Sequence, residues 1–326
     1  MYELLPEAAY ALWRNDVVQA SLSAIGAGLI GVLACRLIFA LWAFARPNKR
    51  RIAHYRSVEA QSWALVTGAS DGIGLAFSED LLGRGFNVLL HGRNAEKLDR
   101  VKNDLLKQYP SRGVEVVVAD AALNDDGYTV VADKARRLPG KLTVIHHNVG
   151  GVVTRPQYLS TEEIPHADIN TQINVNARFP TQLTRALLPT LRANAPSIIM
   201  FSGSTGALMG VPYLTTYIAT KAYIQLLAVS LSNELFADDI HDVDVKCFLI
   251  GNTASSNIKD RMPLTISSQE CARACLDKAG SGDVLVYSHW KHYIQIALAS
   301  FIPDGLMKRG AAKEMKARKE RESKAQ

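Results

Sequence analysis

Tyr217 and Lys221 stand four residues apart in the run Tyr-Ile-Ala-Thr-Lys, which puts them one turn apart on a shared face of a helix. A phenol beside an ammonium can hand a proton to a reacting oxygen, provided its ordinary pKa near 10 is drawn down toward neutrality. Roughly three units of lowering need about 4 kcal/mol of charge stabilisation, and Lys221 is placed to supply part of it. With eleven tyrosines in the chain, the spacing alone arises readily by chance. Ser204, thirteen residues before Tyr217, and Asn176 further upstream give the pair company. By itself Ser204 reads as a turn hydroxyl at a strand end. Pro180, four residues after Asn176, cannot donate to the carbonyl of residue 176. Either that carbonyl serves a water relaying protons behind Lys221, or the proline marks an ordinary kink.

A second cluster is Thr67-Gly68-Ala69-Ser70-Asp71-Gly72-Ile73-Gly74, between an apolar run and a helical stretch. Glycines there let backbone N–H groups approach a pyrophosphate at a helix N-terminus, although such turns also serve packing. Gly68, Ser70, Asp71, Gly72, Ile73 and Gly74 are the candidate contacts. About 20 residues on, a dinucleotide site carries a group for the adenosine ribose, an acid where NAD is used. This chain has His91-Gly92-Arg93-Asn94 instead. Arg93 suits the 2′-phosphate of NADP(H); otherwise it is a surface arginine. The His146-His147 pair has no third ligand spaced near it and reads as packing, so no metal site is assigned.

These residues must be carried by a regular scaffold. Short β-rich runs at 63–67, 87–91, 114–119, 143–146, 197–201, 244–248 and 283–287 alternate with helical stretches at 73–84, 95–109, 127–138, 168–192, 216–236 and 267–279. The last helix opens with Ser267 and Glu270 at capping-box spacing and is followed by Gly280. The alternation predicts an α/β fold, a Rossmann-type doubly wound parallel sheet of seven strands in one domain over residues 62–290.

Composition fixes the surroundings. At 48% hydrophobic and 21% charged, the chain is neither disordered nor fibrous. Cys271 and Cys275 lie on one helix face with no partner pair, so the four cysteines read as reduced structural thiols. Residues 46–56 hold five Lys/Arg and no acid, and residues 308–326 hold eight against three glutamates. Each segment is +5 in a chain of net +6, so the body between is net acidic and no nucleic-acid footprint is expected on it. The stretch 17–41 is long enough for one membrane-spanning helix, with residues 1–16 before it and a basic juxtamembrane linker at 42–61. Five Lys/Arg after the segment against one before it, Arg14, put the body in the cytosol. A second apolar run, 293–307, is too short to span. Within 291–326 it either lies on the membrane surface or packs on the body, ahead of a basic tail expected to be a solvated helix.

Together, the glycine turn with Asn176, Ser204, Tyr217 and Lys221 resembles the short-chain dehydrogenase/reductase superfamily, whose catalytic tetrad is Asn, Ser, Tyr and Lys. The resemblance covers roughly residues 62–287. Gly203-Ser204-Thr205-Gly206, Pro212-Tyr213-Leu214-Thr215-Thr216-Tyr217 and the N-terminal anchor are similar to the membrane-bound branch of very-long-chain 3-oxoacyl-CoA reductases and 17β-hydroxysteroid dehydrogenases. The resemblance implies that Ser204 fixes the substrate oxygen, while Lys221 serves Tyr217 and also holds the nicotinamide ribose. It implies that Asn148 and Gly150 line the cofactor cleft, and that Thr253 and Ser255 lie at the nicotinamide end. Asp120 falls at the adenine contact, or simply forms a turn. The sequence departs from the branch at His147-Asn148-Val149-Gly150, usually Asn-Asn-Val-Gly, and at Ile250-Gly251-Asn252-Thr253, usually a Pro-Gly-like turn. A homodimer through the helices at 168–192 and 216–236, in the endoplasmic reticulum membrane, is likewise implied. The family-level substrate is a 3-oxoacyl-CoA. The acidic body, with only Lys259 and Arg261 basic in the predicted substrate loop, speaks for a steroid, triterpenoid or polyketide ketone instead. A non-catalytic NADP(H)-binding scaffold is the remaining alternative.

Overall fold

The apolar runs become strands Ser62–Thr67 (β1), Asn87–Gly92 (β2), Val114–Val118 (β3), Lys141–His147 (β4), Ser197–Ser202 (β5) and Val243–Leu249 (β6), the short pair Thr253–Ala254 (β7) and Ile266–Ser267 (β8), and Leu285–Tyr287 (β9). The computed structural model describes residues 15–45, 50–123, 127–254, 264–300 and 302–324. Seven strands pair in parallel in the order β3-β2-β1-β4-β5-β6-β9, as the alternation predicts. Every residue of β1, β2 and β5 is buried, which is why these strands read as unbroken apolar runs rather than alternating ones.

Alternation instead decides which face each side chain serves. Ala64 and Val66 of β1 pack with Phe77 and Leu81 of helix Gly72–Gly83 (α2, after the N-terminal helix α1, Asp16–Ala45). Trp63 and Leu65 face the other side, toward Leu183 and Leu187. Ala95–Gln108 (α3) covers the first face; Gly127–Arg136 (α4) covers the second. The strand order reverses between β1 and β4, and the crevice at their carboxyl ends is where such sheets take a ligand.

The stretch 168–192 is not one helix. His166–Ile173 (α5) passes into a π turn, Asn174–Arg178, where the Phe179 N–H donates to the Asn174 carbonyl, and then into Phe179–Ala193 (α6). Pro180 is the second residue of α6 and has no N–H to give the carbonyls of the π turn before it. The proline thus sits just past a widened turn. Thr215–Ala237 (α7) and Ser268–Asp277 (α8) follow, and the Ser267/Glu270 capping box forms.

Two flanks differ from a solvated reading. Tyr55 is fully buried and its hydroxyl donates to Asp244 Oδ2 at 2.5 Å, beside Arg50 at 3.2 Å from the same oxygen. At the other end, Trp290–Ala299 (α9) leads to Asp304–Lys324 (α10), whose Met315 is buried. The tail helix is docked because one of its faces has partners on the body. The first unit, ending at residue 47, holds α1; its Asp16–Cys35 stretch is long and apolar enough to cross a membrane.

Candidate active site

The turn after β1 is built for close backbone approach. Gly68 and Gly72 have φ of +65° and +56°, where a side chain is strained. A Cβ on Gly74 would lie 2.2 Å from the Gly68 carbonyl oxygen, so only glycine closes the turn. The glycines let the backbone of the first turn of α2 come close to an anion, and this cradle fits a pyrophosphate. Ser70 and Ile73 lie partly exposed along it. Asp71 caps α2, accepting from the Gly72 N–H at 2.7 Å. Asn148, just past β4, holds the turn from behind: its Nδ2 donates to the carbonyls of Thr67 and Gly68 at 3.2 and 3.3 Å.

At the rim, Arg93 is exposed, and Lys97 on α3 pairs with Asp71 at 2.6 Å. Sequence reasoning missed Lys97; the signal was its place in the first turn of α3, four residues after Arg93. Asp120 accepts from the Ala122 N–H at 2.9 Å, so at least one of its oxygens forms a turn. The Thr253 hydroxyl donates back to the Gly251 carbonyl at 3.2 Å. Ser255, like Lys259 and Arg261, lies outside the described residues.

Ser204, Tyr217 and Lys221 come together beyond the end of β5. Lys221 is buried, with its Nζ 2.8 Å from the Ser202 carbonyl and 5.8 Å from the Tyr217 ring centre. Burial lowers its pKa to about 8. Burial raises the Tyr217 pKa, and a hydrogen bond with Ser204 offsets this only in part. The neutral phenol is therefore the favoured state, with its proton in place to donate. Ser204 Oγ also accepts from the Gly206 N–H at 3.1 Å.

Asn176 is buried, and both ends of its amide are hydrogen-bonded. Its Oδ1 accepts from the Gly151 N–H at 3.1 Å; its Nδ2 donates to the Gly151 carbonyl at 3.2 Å and to Thr220 Oγ1 at 3.0 Å. It clamps the glycine loop after β4 to α7. Gly150 is part of that loop, and a Cβ there would fall 2.9 Å from Asn176 Oδ1 and 3.5 Å from Lys221 Nζ. Only glycine at 150 therefore leaves room for both the Asn176 amide and the Lys221 ammonium.

The histidine pair packs. His146 Nε2 donates to Ser202 Oγ at 3.0 Å, which donates in turn to Asn148 Oδ1 at 3.3 Å. His147 stacks on Phe201 and meets Thr184 Oγ1 at 2.9 Å. Burial drives both far toward the neutral form. Beside Tyr217 a narrow cleft opens, its exposed surface mostly apolar, lined by Val152, Leu159, Ile164, Tyr213 and Leu214 and also by Gln157, Asp168 and Gln172. An apolar cleft ending on a protonated phenol suits a hydrophobic molecule with one polar reacting oxygen.

The short chain dehydrogenase family model matches residues 62–263. A very-long-chain 3-oxoacyl-CoA reductase of Aspergillus terreus is 32% identical over 222 residues, 67% of this chain and 61% of that protein, less than two thirds of its length. A protein of the same name from Podospora anserina is 30% identical across 85% of this chain and 80% of its own. Among solved structures, a 7β-hydroxysteroid dehydrogenase matches with a TM-score of 0.68 at 20% identity, over 77% of this chain and 96% of the other. A short-chain dehydrogenase from Sphingobium yanoikuyae in complex with NADPH gives 0.61 at 22% identity, over 74% and 96%. Both share the fold. Sequence and architecture agree that this chain belongs to the short chain dehydrogenase family, a family of nicotinamide-dependent oxidoreductases, in the branch of the very-long-chain 3-oxoacyl-CoA reductases.

Proposed function

We propose that the protein is a membrane-anchored, NADP(H)-dependent reductase of 3-oxoacyl-CoA, interconverting a ketone and a secondary alcohol on a lipid-like chain. The observation that carries this is the meeting of Ser204 and Lys221 with Tyr217, whose side chain lines a largely apolar cleft. The names of the relatives support the acyl-CoA substrate. Gly68, Gly72 and Gly74 would cradle the pyrophosphate, Arg93 and Lys97 the 2′-phosphate, Asp120 the adenine, and Asn148, Gly150, Thr253 and Ser255 the nicotinamide side. The cofactor supplies the hydride; the chain manages one oxygen and one proton. Ser204 orients the carbonyl oxygen, Tyr217 gives its proton to that oxygen as it gains charge, and Lys221 sustains the phenolate left behind. Asn176 keeps the Gly150–Gly151 loop and α7 in register around them.

Residues 17–41 would anchor the chain in the endoplasmic reticulum membrane, with the body in the cytosol. Exposed Tyr223 and Leu226 on α7 offer a face for a homodimer. NADPH oxidation with 3-oxoacyl-CoA thioesters and a panel of hydrophobic ketones, run in both directions, tests the reading. Turnover of steroid ketones but not of thioesters would move the substrate to the second class. Cofactor binding without any turnover would leave only the scaffold.

A further inference from the structure

The tail helix α10 is polar, yet its inward residues form one stripe. Ala311, Met315, Arg318, Lys319 and Glu322 are spaced as successive turns on a single face. The polar members all reach the segment 157–163 or Tyr213. Glu322 accepts the Gln157 N–H at 2.8 and 2.9 Å through its two oxygens, and the Tyr158 N–H at 3.1 Å. Arg318, braced by Glu314 at 3.0 Å, donates to the Tyr158 hydroxyl at 3.4 Å. Lys319 donates to Ser160 Oγ at 3.0 Å, ion-pairs with Glu163 and lies 5.1 Å above the Tyr213 ring.

What these residues hold is the wall of the cleft beside Tyr217. Gln157, Leu159, Ile164 and Tyr213 line it. Residues 148–160 contain no helix or strand, and a loop of that length in a compact domain commonly serves binding. Its backbone donors need acceptors, and Glu322 supplies two. Tyr213 has φ of +62°, which a bulky residue adopts only where its surroundings fix it. Lys319 is part of those surroundings. The turn that follows this loop is tied to the start of α7 by Thr161 Oγ1, 3.0 Å from Thr215 Oγ1. The tail, the rim and the helix bearing Tyr217 form one connected assembly.

We propose that α10 is a strap for the substrate cleft, in which Lys319 and Glu322 are positioning residues that set the cleft's outer wall and hence its preference for long apolar chains. The substrate part rests on the reading of Tyr217 as the acid for a hydrophobic ketone. On this reading a short ketone needs only the part of the cleft beside Tyr217, whereas a long chain also contacts the wall to which Leu159 and Ile164 contribute. Loosening the strap therefore weakens binding of long substrates in ground state and transition state alike, which raises KM and spares kcat.

The test uses the full chain in detergent with 3-oxoacyl thioesters of short and long acyl length. Lys319→Ala and Glu322→Ala should raise KM for the long thioester by at least about fivefold, with kcat and the short thioester's KM within about twofold. Lys319→Arg, and the charge swap Lys319→Glu with Glu163→Lys, should restore the long-chain KM. Independently of turnover, Glu322→Ala should speed amide exchange at Gln157 and Tyr158 about tenfold at an unchanged melting temperature. Unchanged exchange together with an unchanged ratio of long to short KM overturns the strap. If the wild type reduces no thioester or ketone while Glu322→Ala still frees those amides, the substrate reading fails and the strap stands.

Discussion

The Lys221 ammonium donates to the Ser202 carbonyl at 2.8 Å, tying α7 to the last residue of β5. Ser204 follows two residues later and Tyr217 precedes by one helical turn, so this bond sets the distance between proton donor and oxygen holder. Burial brings the Lys221 pKa to about 8. The charge is present below that pH and lost above it, so ketone reduction should fall as pH rises through about 8. Lys221→Met should lose turnover and also weaken NADPH binding. A single-turnover pH profile that stays flat to pH 10 would contradict this.

Tyr217→Phe keeps the ring and its packing and removes only the donated proton. Turnover should drop by about 10²–10⁴-fold, with NADPH affinity, followed by cofactor fluorescence, within about twofold. A variant keeping more than about a tenth of wild-type kcat, with chemistry rate-limiting, removes the tyrosine from the acid's role.

Cofactor choice should depend on Arg93 and Lys97 together. Each alanine substitution should lower kcat/KM with NADPH by about tenfold and leave NADH nearly unaffected, as expected for a lost charge-assisted contact to phosphate. Lys97→Ala has a further effect, because it leaves the Asp71 carboxylate without its 2.6 Å ion-pair partner beside the turn. Equal use of the two cofactors by the wild type would refute the assignment.

Acid should unfold the body early. Burial lowers His91 to about 4 and His147 to about 3, and holds His146 well below its ordinary value. Unfolded, each titrates near pH 6.5. Between those values the unfolded chain binds protons that the folded chain refuses. Their contribution is thus complete above about pH 6.5 and is lost as pH falls toward 4, on the order of 3 kcal/mol for His91 alone. Denaturant midpoints should fall steeply across that window and less steeply in His91→Asn. Equal slopes would exclude His91 as a source.

Much of this was legible in the residues. The parallel sheet follows from short apolar runs separated by helical periods, and the cradle from glycines between a strand and a helix. The grouping of Ser204 with Tyr217 and Lys221 follows from local spacing, since all three lie within eighteen residues across one strand end and one helix. Contacts that join distant parts of the chain were not legible. Nothing in the sequence around Lys319 or Glu322 tells that these residues face Glu163 and Gln157, about 160 positions earlier. Charge counting read that helix as solvated because composition carries no information about which face is covered.

The π turn at Asn174–Arg178 sets the phase of everything that follows it. In an unbroken α-helix, residues seven apart share a face, so Asn176 would point with Leu183 into the apolar layer beneath the sheet. One residue's worth of extra winding shifts the two by about 100°. Leu183, Leu187 and Leu191 can then all be buried in that layer while Asn176 turns to Gly151 and Thr220. The count of residues between 174 and 178 therefore works as a reading frame. Deleting one would regularise the helix, and it would force a choice between seating the leucines and seating the asparagine.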